Sequence, residues 1–314
     1  MRPAPVPAGP ASASPLAIVL ALAAVYVVWG STYLAIRFAL EGGWPPLLMA
    51  GLRFLASGLA LYAILRWRGV AAPTPAQWRN AAFVGLLLLG MGNGLVCIAE
   101  QTVSSGLAAV AVASVPLWMA LFAALRGEHP RRAEWLGLGV GFAGVAWLNL
   151  GSSLSASPAG LVALLVAAIA WSYGSIWSRG RDLPPPLMAA AAQMLCGGAA
   201  MLVAGLALGE RFEAWPTPRG VLAVGYLATF GSLVGFSAYV WLLRHVRPAL
   251  AGSYAYVNPV IAVLLGAWLA GERFGAHELG AMAVVLSGVV AISLARARRP
   301  ATAAAASPGT AQKA

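Results

Sequence analysis

The chain has 314 residues, of which 61% are hydrophobic and only 9% charged, and its mean hydropathy is +0.81. A soluble domain carries about a quarter charged residues, so the polar shell of a water-soluble protein is excluded and lipid must be the solvent for most of the surface. The net charge of +11 does not mark a nucleic-acid binder, because the arginines form no basic face and stand in ones to threes between apolar runs.

Apolar runs long enough to cross a bilayer, about 20 residues each, recur ten times. They cover 16–37, 45–65, 81–101, 105–126, 133–151, 158–178, 185–208, 219–243, 248–271 and 276–295. The first run follows Arg2 and resembles a signal peptide, but it continues through Trp29-Gly30-Ser31 without a clean cleavage site and reads as a retained helix. Arg53 falls about 12 Å into the second run at the helical rise, and Glu100 falls near the outer end of the third. Ionisable groups at membrane depth are expensive and therefore functional candidates; the two are expected either to pair or to let Glu100 exchange a proton. The third run also holds Asn93, and the fourth holds Pro116 and Trp118.

In the fifth run, Gly139-Val140-Gly141-Phe142-Ala143-Gly144 has the GxGxxG spacing of a dinucleotide fold. No strand precedes it and no acidic residue follows at the required distance, so the match is discarded. Glycine pairs such as Gly90/Gly94 and Gly137/Gly141 read as close helix contacts. Trp171 lies deep in the sixth run, and the ninth contains Tyr254, Tyr256, Asn258 and Pro259. Connectors carry the charges and turn formers, as in Arg126-Gly127-Glu128-His129-Pro130 and Asp182-Leu183-Pro184-Pro185. Residues 1–15 and 300–314, rich in Ala, Pro and Ser, are expected to be disordered cytoplasmic tails.

With the N-terminus on the cytoplasmic side, fifteen Lys and Arg residues fall on inner segments. Only Arg37, Arg211, Arg219 and Arg273 fall on outer ones. That asymmetry predicts both termini in the cytoplasm of an inner-membrane, multi-pass protein.

The sequence also repeats. Gly127-Glu128, Glu134, Gly144 and Val145 recur as Gly271-Glu272, Glu278, Gly288 and Val289, each 144 positions later. Pro116 and Pro259 match at a shift of 143, and Trp29 and Arg37 match Trp171 and Arg179 at 142. Two units of five helices, 16–151 and 158–295, follow from this. An odd helix number makes the second enter the membrane inverted, the arrangement of secondary transporters with a site near the midplane. Pro116 and Pro259 are expected in the middle of their helices as paired kinks that act as hinges, the alternative being ordinary packing kinks.

Trp29-Gly30-Ser31-Thr32-Tyr33, Val115-Pro116-Leu117-Trp118 with Gly127-Glu128, and Ser253-Tyr254-Ala255-Tyr256-Val257-Asn258-Pro259 with Gly271-Glu272 occur in this order. With Gly92-Asn93-Gly94 and Ala99-Glu100, they resemble the drug/metabolite transporter superfamily, EamA type, and its YedA-like members most of all. The resemblance implies an all-α membrane protein of ten transmembrane helices in two inverted five-helix repeats. It implies a central cavity lined mainly by helices one, three, four, six, eight and nine. The implied activity is export of metabolites, amino acids or drug-like compounds, with an uptake permease of the same fold as the alternative.

The substrate-binding candidates are Trp29, Ser31, Thr32, Asn93, Trp118, Trp171, Tyr254, Tyr256 and Asn258. They combine amide and hydroxyl groups able to bond a ligand with indoles able to wall a cavity; each is equally able to serve helix packing. Arg53 and Glu100 are the ion-pair or coupling candidates. Cys97 and Cys196 lack metal-ligand spacing, and the three histidines sit in loops without an HExxH, so neither a metal, a cofactor nor an enzyme is expected. A receptor or scaffold without transport remains the rival. The expected partners are a small-molecule substrate and the lipid bilayer, with no nucleic acid and a homodimer left open.

Overall fold

Proline opens seven of the helices among the described residues, and glycine closes several. In the computed structural model, which describes residues 14–103, 112–149, 157–270 and 276–297, all regular elements are helical. The expected tails at 1–13 and 300–314, the start of the fourth run, and Gly271, Glu272 and Arg273 lie outside the described residues. In the first repeat α1 is Pro15–Glu41, α2 Pro46–Trp67 and α3 Pro75–Gly85. A π-helical segment π1, Leu86–Asn93, follows, then α4 (Gly94–Ala99), α5 (Val115–Leu125) and α6 (Arg132–Asn149). The second repeat holds α7 (Pro158–Ser178), α8 (Pro186–Ala207), α9 (Pro218–Tyr226), π2 (Leu227–Phe236) and α10 (Ser237–His245). It ends with α11 (Pro248–Gly252), α12 (Tyr254–Ala270) and α13 (Ala276–Ala297).

Proline at the first turn loses nothing, because those amides have no intrahelical partner, and its fixed φ suits the helix. Thr74 completes a capping box with Gln77, whose amide donates to Thr74 Oγ1 while Thr74 N–H donates to Gln77 Oε1. At the far end of α2, Gly69 takes φ +80°. Its N–H donates to Arg66 O while Val70 N–H donates to Leu65 O, which satisfies the last carbonyls of the helix.

Among the described residues, six helical stretches are long and apolar enough to cross a membrane: Pro15–Glu41, Pro46–Trp67, Pro75–Ala99, Pro158–Ser178, Pro186–Ala207 and Pro218–His245. Val115–Leu125 and Leu279–Ile292 are shorter apolar helices. The first stretch runs past its expected end to include Glu41, which is spent on an exposed i,i+4 pair with Arg37 at 2.7 Å.

The helices pair in a pattern that maps one repeat onto the other. Helix α2 packs on α8 and α6 on α13, each joining equivalent elements. In the remaining contacts, α1 packs on α9, π2, α10 and α12 of the second repeat, while α7 packs on α3, π1, α4 and α5 of the first. Glycine makes the tight crossings possible: a Cβ on Gly288 would stand 2.6 Å from Gly141 N, and one on Gly137 would stand 2.8 Å from Gly288 O. Gly94 faces Leu47 and Met201 as a contact glycine, whereas Gly90 meets only Leu86 of its own span.

One expectation is corrected. Pro116 does not kink the middle of a helix. Ser114 is a turn, and Pro116 lies in the first turn of α5, where its missing N–H costs no hydrogen bond. Pro259 does lie inside α12. The break nearest to it comes earlier, at Ser253, where the Ser253 hydroxyl donates to Leu250 O and contacts the Tyr26 hydroxyl at 2.6 Å.

Candidate functional site: a cavity between the two repeats

The first and sixth spans meet through their tryptophans. Trp29 and Trp171 stand edge to face with ring centroids 5.4 Å apart, and Tyr239 and Tyr254 complete the cluster at 5.2 and 4.8 Å from Trp29. Each indole is seated by a glycine of the opposite repeat. A Cβ on Gly92 of π1 would stand 2.8 Å from Trp171, and one on Gly235 of π2 would stand 2.5 Å from Trp29 Nε1. Gly92 and Gly235 are 143 positions apart and the tryptophans 142, so the same device is built twice.

The π segments complete that device. A π-helical stretch replaces the α-helical ladder with i→i+5 bonds, and a carbonyl has two lone pairs, so it can accept a second donor. In π2, Gly231 O accepts from Trp29 Nε1 at 3.0 Å, and Ala228 O accepts from the Ser57 hydroxyl at 2.7 Å. Thus π2 is stitched to α1 and α2 by side-chain donors on its carbonyls.

Around the tryptophans lies a cavity of about 80 Å³, below the roughly 300–1,000 Å³ of open small-molecule sites. Its walls come from both repeats, and the helical period decides which candidates reach it. On α1, Trp29, Thr32, Tyr33 and Ile36 share the cavity face, as the i, i+3, i+4, i+7 spacing requires. Ser31 points away, with its hydroxyl donating to Val28 O and meeting the Tyr226 hydroxyl at 2.6 Å. On α12, Tyr254 and Asn258 face the cavity four residues apart. Tyr256 faces α6 instead, and its hydroxyl donates to Leu138 O at 3.1 Å. Trp118 is also outside the lining, stacked on Phe122.

Asn93 at the end of π1 and Trp171 line the cavity as expected. So do Arg53 and Phe54, which adds the second helix to the six expected walls. Arg53 is 3% exposed. One of its Nη atoms donates to Asn93 Oδ1 at 2.5 Å, and its guanidinium lies 4.5 Å from the Phe54 ring centroid. The expected Arg53–Glu100 pairing is not made as a salt bridge; Arg53 Nε and Glu100 Oε1 are both buried without a hydrogen-bond partner. Asn258, 2% exposed, likewise leaves Oδ1 unpartnered. The residues that the sequence argument passed over, Tyr33, Phe54 and Phe236 among them, sit beside named ones at helical spacing. The glycines Gly90 and Gly92 fall in π1, and Gly231 and Gly235 in π2.

One end of the bundle is latched. Arg179 Nη1 donates to Leu243 O at 2.6 Å and Val246 O at 2.8 Å, while Nη2 approaches Glu128 at 3.5 Å. Arg126 donates to Ile176 O at 2.6 Å, and Arg247 pairs with Glu134 at 2.9 Å. Burial draws the Arg179 pKa below that of a free guanidinium, and Glu128 pushes it back up. The repeat mate of Arg179 is Arg37, whose side chain is 68% exposed against 23% for Arg179.

Comparison with known proteins places this architecture. A family model described as the EamA-like transporter family matches residues 15–150 and, a second time, 158–294. The chain is 48% identical over 282 residues to the protein named "Uncharacterized inner membrane transporter YedA" of Escherichia coli (strain K12), covering 90% of this chain and 92% of that one. It is 24% identical over 261 residues to "Uncharacterized transporter YoaV" of Bacillus subtilis (strain 168), covering 80% and 88%. A solved crystal structure with 25% sequence identity superposes with a TM-score of 0.74, over 90% of this chain and 99% of its own.

Proposed function

Because this chain belongs to the EamA-like transporter family, we propose that it is a secondary transporter that exports small metabolites, amino acids or drug-like compounds across the inner membrane. In this reading ten spans form two inverted five-helix repeats, both termini are cytoplasmic, and the chain catalyses no covalent chemistry. The observation that carries the reading is the cavity, walled by both repeats and floored by Trp29 and Trp171 in equivalent positions. A site at the interface of inverted repeats is the arrangement that allows access to alternate between two sides.

The contrast between Arg179 and Arg37 supports alternating access. Equivalent residues of two repeats occupy different environments, one tied to the carbonyls of Leu243 and Val246 and one open to solvent. Exchanging those environments would seal the Arg37 end and release the Arg179 end. Coupling is assigned to Glu100, whose Oε1 is buried without a partner next to the cavity.

Reconstitution tests the reading. Proteoliposomes should carry at least one labelled solute from a panel of amino acids and small metabolites faster than protein-free liposomes. Filling the cavity with Thr32→Trp should suppress that flux. Glu100→Gln, unable to ionise, should abolish the response to an imposed pH gradient while leaving solute exchange. Flux no greater than in empty liposomes, or flux untouched by Thr32→Trp, contradicts the proposal; a surviving pH response removes Glu100 alone from it.

A further inference from the structure

Helices α7 and α10 belong to different packing groups. Helix α7 packs on α3, π1, α4 and α5 of the first repeat, whereas α10 packs on α1, α8, π2 and α11. Opening the latched end means parting the seam between them. The latch closes that seam at its rim, where Arg179 of α7 holds the carbonyls of Leu243 and Val246 at the end of α10. A second closure lies deeper. On α7, Ser175 stands one turn from Arg179, and Trp171, a wall of the cavity, one turn further in. Both meet Tyr239 of α10.

Tyr239 is fully buried, so its hydroxyl depends on protein partners. Ser175 Oγ has one proton, which it donates to Trp171 O at 2.7 Å. In its 2.7 Å contact with Tyr239 the same oxygen must therefore accept. The Tyr239 O–H donates to Ser175, and its oxygen accepts from Trp171 Nε1 at 3.0 Å. Met119 Sδ, at 3.9 Å, is a weak second acceptor. One hydroxyl of α10 thus ties two residues of α7. The other half of the molecule has no such tie. Val96 stands 143 positions before Tyr239, the spacing of Gly92 and Gly235, and its side chain forms no hydrogen bond. Trp29, the mate of Trp171, gives its proton to the main chain of π2.

The tie also touches the cavity. At about 80 Å³ the empty cavity is smaller than an open small-molecule site, so an entering solute must push its walls apart. Moving the Trp171 indole takes Nε1 off the Tyr239 oxygen. Resting on the transporter reading above, we infer that Tyr239 is a positioning residue that keeps the latched end shut while the cavity is empty and releases it when a solute displaces Trp171. In the parted seam water satisfies all three groups, so the tie stabilises the shut state alone. Reorientation of the empty protein is then slow, and solute exchange is fast.

The test uses Thr32→Cys in a protein whose Cys97 and Cys196 are replaced by alanine, in sealed vesicles of known orientation without solute. Tyr239→Phe keeps the ring and removes the hydroxyl. Modification by a membrane-impermeant thiol reagent applied at the latched end should become about tenfold faster, with no rise from the opposite side. That factor corresponds to about 1.4 kcal/mol, within the contribution of one or two neutral hydrogen bonds. Ser175→Ala, which leaves the Tyr239 proton without its acceptor, should act in the same direction by a smaller factor. It decides the matter if Tyr239→Phe does not fold. For any solute that is carried, Tyr239→Phe should also lower the ratio of exchange flux to net flux. Merely loosened packing would speed modification from both sides, or lower both fluxes and leave their ratio unchanged. Either result, or latched-end modification unchanged in both variants, overturns the inference. The reagent needs no carried solute, so absence of flux with every solute counts against the transporter reading and leaves the tie to be judged by the reagent.

Discussion

At the scale of single residues, the contact between Gly235 and Trp29 sets the shape of the cavity floor. The indole of Trp29 lies where a Cβ on Gly235 would be, and its Nε1 proton goes to Gly231 O about one turn away in the same π segment. Gly235→Ala should push the indole off that carbonyl. The expected cost is about 1–3 kcal/mol of stability, as for other overpacked positions, together with a shifted tryptophan emission and weaker substrate binding. A melting temperature and emission spectrum like those of the unaltered protein would show that the seat is loose. This seat was only half legible beforehand. Trp29 and Trp171 stand out in the sequence because they repeat, but their glycine partners come from the opposite repeat, and no local pattern links residues some 80 to 200 positions apart. The failure at Ser31 and Tyr256 has a simpler cause. Both belong to conspicuous motifs, yet the 3.6-residue period turns them away from the face that holds Trp29, Thr32 and Tyr33 or Tyr254 and Asn258.

At the scale of elements, proline and π-helix divide the work that the sequence assigned to proline alone. Proline is legible because its missing N–H acts locally, so the helix starts at Pro46, Pro158, Pro186 and Pro218 fall within a residue of the expected ones, whereas the third helix starts at Pro75, six residues before its expected start at 81. Whether a proline kinks or begins a helix depends on the preceding turn, which is why Pro116 opens α5 while Pro259 stays inside α12. The π segments have no such signature. In π2 the carbonyls of Gly231 and Ala228 accept from Trp29 and Ser57 of the first repeat, and that pairing is a tertiary condition. If α12 bends at Pro259 during transport, Pro259→Ala should slow flux severalfold while changing equilibrium binding little, since Tyr254 and Asn258 keep their positions in a straight helix. Equal rates in both proteins, measured as initial flux at saturating substrate, would reduce Pro259 to a packing feature.

At the scale of the whole molecule, the duplication was legible from eight pairs of residues at near-constant spacing, and the family model matches twice along the same two stretches. The pairing of α1 with the second repeat and α7 with the first is the three-dimensional form of that duplication. The latch at one end was not legible. Arg126 and Arg179 read as topology signals, and only the structure shows their guanidinium groups spent on the carbonyls of Ile176, Leu243 and Val246. In the proposed cycle this latch must open when the other end closes, so the cavity must communicate with each side in turn.

That requirement can be measured directly with a single cysteine at Thr32, which lines the cavity, after replacing the native Cys97 and Cys196 by alanine. In sealed vesicles of known orientation, a membrane-impermeant thiol reagent should modify Cys at this position from the side opposite the Arg179 latch in the resting protein. Charge reversal at the latch, Arg179→Glu, or addition of a transported solute should make it reactive from the latched side. Modification from one side only under every condition, or from both sides at once in the resting protein, would contradict alternating access through this cavity.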